Sequence, residues 1–303
     1  MFKGSIVAIV TPFTDGKVDE AKLKELVEFQ IEDGTSAIVP CGTTGESPTL
    51  STAEHERVIE VCIKAAKKRV PIIAGTGSNS TEEAVLLTKH AAHAGANAAL
   101  IVSPYYNKPT QKGLYLHFKK IADSVEIPII LYNIAGRTGV NIEPATIAKL
   151  AHDCKNIVGV KEASGSLEQM QTIKNLCPPE FVLLSGDDTL TLPILSIGGI
   201  GVISVVANII PGDVARMIEY FQKGNLKKAQ ELHAEIFTLA KAMFIETNPI
   251  PVKMAMELLG RCSSEVRLPL SPMEEDNVKK LRSALQHYGL LSDSTKKLAT
   301  KRK

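Results

Sequence analysis

IVGVKEASG, residues 157–165, decides how the chain is read. Ile157, Val158, Gly159 and Val160 form a run without polar alternation, and it ends on Lys161, followed by Glu162 and a small-residue turn. A short continuous apolar run fits a strand buried on both faces, as in a parallel sheet covered by helices. A lysine at the end of such a strand is costly to bury. It snorkels to solvent, pairs with Glu162 or a nearby aspartate, or has chemistry to perform.

Outward from this stretch, similar runs recur at intervals of roughly 25–35 residues: SIVAIV (5–10), AIVP (37–40), PIIAG (71–75), AALIVS (98–103), PIILYN (128–133), FVLLSG (181–186) and GVISVV (201–206). Helical patterns lie between them. Leu23, Leu26, Val27 and Ile31 keep the helical period, and Gly34 is placed to end that helix. Ser51 with Glu54, Ser80 with Glu83, and Ser166 with Gln169 read as capping boxes, and Pro144 suits a first helical turn. Eight strand–helix units predict an α/β fold, a (β/α)8 TIM barrel over residues 1–224. Residues 225–291 carry no strand signal and predict a C-terminal three-helix appendage: one helix from Asn225, one around PVKMAMELLG (251–260) and one from Ser271 to about His287. Residues 292–303, with the basic cluster KKLATKRK at 296–303, read as a disordered, solvated tail.

Composition narrows the function. The 35 basic and 33 acidic residues leave a net charge of +2, so no global field recruits nucleic acid or an anionic membrane. The five cysteines, at 41, 62, 154, 177 and 262, are odd in number and form no CxxC pair. That argues against a disulfide framework or a structural zinc site and for a reducing compartment. The apolar patch near the N-terminus is too short for a signal or membrane segment, so the expected location is the cytoplasm.

In a TIM barrel, chemistry sits at the C-terminal ends of the strands. There the chain places CGTTGES, SPYYN, YNIAGRTG, Lys161, SGDD and VISVVAN. A neutral amine attacks a carbonyl to give an iminium, an electron sink, and desolvation in an apolar barrel favours the neutral form. Tyr105, Tyr106 and Tyr132 lie at adjacent strand ends; each is explained by packing, and a phenol beside a Schiff-base lysine also suits proton transfer. Thr43 and Thr44 form either a plain turn or a carboxylate cradle. Arg137 is either a surface ion-pair partner or a bidentate carboxylate clamp. GTGSNS (75–80) is one glycine short of a dinucleotide fingerprint, and the His90/His93 pair makes a poor metal site. The aspartates of SGDD suit a helix cap as well as a metal.

Together, GTTGES, SPYYNKP, YNIAGRTG, IVGVKEASG, LLSGDD and GVISV resemble, in order and at the right barrel positions, the dihydrodipicolinate synthases of the pyruvate-dependent Schiff-base aldolase superfamily. The resemblance spans about residue 3 to about residue 290. It implies condensation of pyruvate with aspartate semialdehyde, opening lysine and diaminopimelate biosynthesis, with no metal or organic cofactor. It implies that Lys161 forms the Schiff base, that Tyr132 relays protons, and that Thr43 links Tyr132 to Tyr106, which enters from the neighbouring subunit. It further implies that Thr44 binds the pyruvate carboxylate, that Arg137 holds the aldehyde substrate's carboxylate, and that the backbones of Gly186 and Ile203 line the lysine pocket. The implied assembly is a homotetramer, a dimer of tight dimers. A possible lysine effector site falls on Ser47, His55, Asn79, Glu83 and Tyr105. Two positions depart from the family pattern: Ala135, before Gly136 and Arg137, which is expected to loosen the turn that aims the arginine, and Thr52, where a histidine is frequent. The alternatives are a sister aldolase acting on a 2-keto sugar acid and a non-catalytic barrel used as a scaffold.

Overall fold

The computed structural model describes residues 2–292, so KKLATKRK lies outside the described residues. The barrel strands fall on the eight apolar runs: β1 Gly4–Ala8, β2 Ala37–Val39, β3 Ile73–Gly75, β4 Ala98–Val102, β5 Ile129–Asn133, β6 Ile157–Glu162, β7 Val182–Ser185 and β8 Gly201–Ser204. Neighbours are parallel in the order β2-β1-β8-β7-β6-β5-β4-β3, and a parallel bridge between Ile38 and Ile72 closes the ring. A helix follows each strand: α1 Glu20–Glu32, α2 Thr52–Ala66, α3 Thr81–Ala94, α4 Gln111–Ala122, α5 Pro144–Asp153, α6 Leu167–Leu176, α7 Thr191–Ser196 and α8 Pro211–Gln222. The appendage contributes α9 Leu226–Ala242, α10 Ile250–Leu258 and α11 Glu275–His287. Helix α11 starts at Glu275 rather than Ser271, because Pro272 biases the residue before it towards extended backbone. A small hairpin, Phe13–Thr14 with Lys17–Val18, was not expected. Its signal is the Asp15-Gly16 pair, both at positive φ, a turn that matches the twist of paired strands.

One of the three expected capping boxes is complete, that of Ser51 and Glu54. Ser80 and Ser166 accept from the Glu83 and Gln169 amides, but those side chains do not return the bond. Glu83 takes the Ser78 hydroxyl, and Gln169 donates to Glu162 at 3.1 Å. Both end groups are diverted towards the strand ends.

Side chains alternate across the barrel wall. Ile6, Val39, Leu100, Ile130, Tyr132, Leu184 and Ile203 fill the lumen, while Leu131, Val160 and Leu183 face the helices. Strand β6 breaks this alternation. Ile129 pairs with Ile157 but Ile130 pairs with Gly159, leaving Val158 as an extra residue in a β-bulge. The bulge turns Lys161, rather than Val160, into the lumen. Glycine suits this place, because a Cβ at 159 would lie 2.6 Å from the Val182 carbonyl oxygen.

The appendage packs on the barrel through one apolar cluster, in which Leu26, Ile59 and Met217 join Ile236, Leu239, Met256 and Leu281. Among the described residues no helix is long and apolar enough to cross a membrane.

Candidate active site

Lys161 is 6% exposed. Its strand partner in register is Tyr132, and its Nζ lies 4.0 Å from the centre of the Tyr132 ring. The expected salt-bridge alternatives are closed off. Glu162 faces the other side of the strand, where it accepts from the Ser164 amide at 2.7 Å, Asn133 Nδ2 at 3.0 Å and Gln169 Nε2 at 3.1 Å. Asp187 accepts from the Thr189 amide at 2.8 Å and the Thr189 hydroxyl at 2.7 Å. Asp188 accepts from the amides of Val205 and Val206, both at 3.0 Å, and burial pushes its carboxyl up. The aspartates of SGDD therefore work as caps, and among the described residues no group of three or more histidine, cysteine or acidic side chains is gathered for a metal ion.

Several of the other expected residues fall into two groups. Gly186 and Ile203 belong to the lumen. A Cβ at 186 would sit 3.2 Å from Lys161 Cε, so the missing side chain leaves room for the lysine. Ile203 is in the lumenal cluster with Tyr132. Thr43, Tyr132 and Arg137 line a cavity of about 330 Å³, together with Ser47, His55, Glu83 and Tyr105. Lys161, Thr44, Gly186 and Ile203 do not line it; Lys161 sits against the Tyr132 ring that does.

The GTTGES turn is anchored from the appendage. Buried Thr44 accepts at Oγ1 from Asn248 Nδ2 at 3.0 Å. Glu46, at φ 54°, accepts from Lys253 Nζ at 2.7 Å and from the Arg267 amide at 3.0 Å. Arg137 donates from Nη2 to the Asn248 carbonyl at 3.2 Å. The turn that carries it is closed by a 2.9 Å bond from the Gly139 amide to the Ala135 carbonyl, so Ala135 sits in an ordered helical turn.

On the far side of the cavity, His55 Nε2 lies 2.9 Å from the Gly75 carbonyl and its Nδ1 has no partner. Burial pulls this imidazole down, so the ring is neutral at pH 7, with Nε2–H as donor and Nδ1 as a free acceptor. Asn79 donates to the Tyr105 carbonyl at 3.2 Å and does not line the cavity. Tyr106 is not brought to the others within the chain: it is 89% exposed and held at φ 74°.

Several residues escaped the sequence reading. Glu46 lies inside GTTGES, but its partners Lys253 and Arg267 are more than 200 positions away. Asn248 and Lys253 act from more than 200 positions away. Asn133 carried a signal, since it stands beside Tyr132 as Glu162 stands beside Lys161 and strand alternation sends both to the same outer face.

An amine held in the lumen against a phenol ring, beside a mouth lined by hydroxyls and a guanidinium, places the chain among the (β/α)8-barrel enzymes. Residues 1–288 match the Dihydrodipicolinate synthetase family. The 4-hydroxy-tetrahydrodipicolinate synthase of Endomicrobium trichonymphae is 60% identical over 291 residues, covering 96% of this chain and 100% of the relative. The dihydrodipicolinate synthase structure from Aquifex aeolicus superposes with a TM-score of 0.95 at 51% identity, covering 96% and 100% of the two chains. The enzyme from Cyanidioschyzon merolae with lysine bound gives a TM-score of 0.94 at 45% identity, covering 96% and 99%. The chain belongs to the Dihydrodipicolinate synthetase family, which favours the synthase reading over the keto-sugar-acid aldolase.

Proposed function

We propose that this chain catalyses the 4-hydroxy-tetrahydrodipicolinate synthase reaction, a carbon–carbon bond-forming lyase reaction between pyruvate and L-aspartate 4-semialdehyde, on the amine of Lys161. The observation that carries the assignment is the lumenal Lys161 amine held 4.0 Å from the centre of the Tyr132 ring. The amine adds to the pyruvate ketone and water leaves, giving an iminium. The iminium acidifies the pyruvate methyl group; a proton is lost and an enamine forms. The enamine carbon attacks the semialdehyde carbonyl. The second substrate's own amine then displaces Lys161, closing the ring and restoring the free lysine. Tyr132 is the proton relay and Thr43 its link to Tyr106. Thr44 receives the pyruvate carboxylate, Arg137 that of the semialdehyde, and the Gly186 and Ile203 backbones shape the pocket. The lysine is the electron sink, so no cofactor is required. Product formation from pyruvate with aspartate semialdehyde, and not with a keto sugar acid, tests the reading.

The assembly we infer is a cytoplasmic dimer of tight dimers. Tyr106 supports it: it stands at positive φ in a turn closed by a 3.0 Å bond from the Asn107 amide to the Tyr105 carbonyl, and that turn presents the aromatic ring outward. Mixing Tyr106→Phe with Lys161→Ala subunits is expected to restore about a quarter of wild-type activity, since half the dimers are hybrids and each hybrid holds one whole site. Hybrids that form yet stay inactive place Tyr106 within its own chain's site.

Ser47, His55, Asn79, Glu83 and Tyr105 form the proposed effector site for lysine. Glu83 is free of its helix cap, and His55 Nδ1 is an unpaired acceptor, so both suit ammonium groups. With Thr52 in place of a histidine, one contact of about 1 kcal/mol is lost and inhibition is several-fold weaker than with it. A lysine titration of initial rate is expected to show partial inhibition that Glu83→Ala weakens about tenfold. A parent enzyme that does not respond refutes the site.

A further inference from the structure

One buried amide joins the two halves of the mouth. Asn248, just before α10, is 4% exposed. Its Nδ2 donates to Thr44 Oγ1 at 3.0 Å, and its backbone carbonyl accepts from Arg137 Nη2 at 3.2 Å. Five positions on, Lys253 Nζ fixes this segment to the barrel through the Thr11 carbonyl at 3.0 Å and the Glu46 carboxylate at 2.7 Å.

The direction of the bond to Thr44 matters. A hydroxyl has one proton to give and two lone pairs to receive with. With a lone pair of Thr44 Oγ1 occupied by the Asn248 amide, the hydroxyl proton remains for another acceptor. A carboxylate accepts only, so it needs Thr44 as a donor. The amide's Oδ1, by contrast, is buried without a partner. A side chain kept only for packing has no reason to carry an unsatisfied acceptor.

We propose that Asn248 is a positioning residue for the first substrate: its side chain sets Thr44 as a hydroxyl donor towards the pyruvate carboxylate, while its backbone carbonyl aims Arg137. The inference rests on the pyruvate chemistry proposed above. It separates the two contacts, because a side-chain substitution removes the Thr44 bond and keeps the carbonyl that holds Arg137.

The test is borohydride trapping of pyruvate on Lys161 over a range of pyruvate concentrations. Asn248→Ala is expected to raise the half-saturating pyruvate concentration about tenfold, with the KM for the semialdehyde unchanged within about twofold. Asn248→Asp is expected to raise it on the order of a hundredfold, since a carboxylate draws the Thr44 proton away from the substrate and repels it as well. A rotated amide, accepting from Thr44, is the competing arrangement, and aspartate mimics it; wild-type trapping by Asn248→Asp overturns the proposal. The double variant Thr44→Val with Asn248→Ala is expected to match Thr44→Val alone, because the hydroxyl that Asn248 orients is gone. Additive effects, or equal rises in both substrates' constants, show a structural role and overturn the inference. A parent protein that traps no pyruvate refutes the chemistry beneath it, a result distinct from a trapping parent with unmoved variants.

Discussion

Lys161→Ala is expected to lose activity by on the order of a thousandfold or more while the barrel stays folded. The reaction needs a covalent electron sink, and this amine is held in the lumen against Tyr132. Among the described residues the variant breaks no ion pair, because Glu162, Asp187 and Asp188 are bound to other donors. Its melting temperature is therefore expected within a few degrees of the parent's. Reduction of the parent with borohydride and pyruvate is expected to add one three-carbon adduct, mapped by peptide mass to the peptide containing Lys161. Label on a different lysine refutes the assignment. A folded Lys161→Ala enzyme with near-normal turnover does so independently.

The parts of this site that were legible in sequence are those where a local pattern and the chemistry coincide. Strand β6 was visible because IVGV has no polar break, and Lys161 because it ends that run. Which way Lys161 points was not visible. The lumenal orientation depends on the bulge at Val158, and a continuous apolar run has no phase from which a register is read. The pairing of Lys161 with Glu162 was a misleading possibility that alternation alone corrects, since neighbours on a strand face opposite sides. Glu83 and Gln169 satisfied the capping-box spacing, yet polar groups at the strand ends claim both side chains. The three helices of the appendage were legible from the lack of a strand signal after residue 224, but their reach into the active site was not. Asn248 and Lys253 meet the GTTGES turn only through the fold.

That reach gives the largest expected effect on stability. Lys253 and Glu46 form an ion pair 2.7 Å long, with side chains 0% and 1% exposed. The ammonium also donates to the Thr11 carbonyl and lies 4.2 Å from the centre of the Phe13 ring. Burial pulls the Lys253 ammonium down, and Glu46 opposes that pull. Lys253→Met leaves the Glu46 carboxylate sealed from water with the Arg267 amide as its remaining donor. Removing one member of a buried pair costs about 3–5 kcal/mol, which lowers the melting temperature of a chain this size by on the order of 10 °C. The double variant Lys253→Met with Glu46→Leu removes the stranded charge and is expected to recover at least half of that loss. Recovery of stability need not restore catalysis. Glu46 sits at φ 54°, and its carboxylate ties the turn bearing Thr43 and Thr44 to the appendage alongside the Asn248–Thr44 bond. The double variant is therefore expected to melt near the parent yet bind pyruvate about tenfold more weakly, measured as the half-saturating concentration for trapping on Lys161. If Lys253→Met melts with the parent, the pair does not hold the segment. If the double variant recovers both stability and pyruvate binding, the ion pair serves the fold alone and the geometry of the turn is set without it.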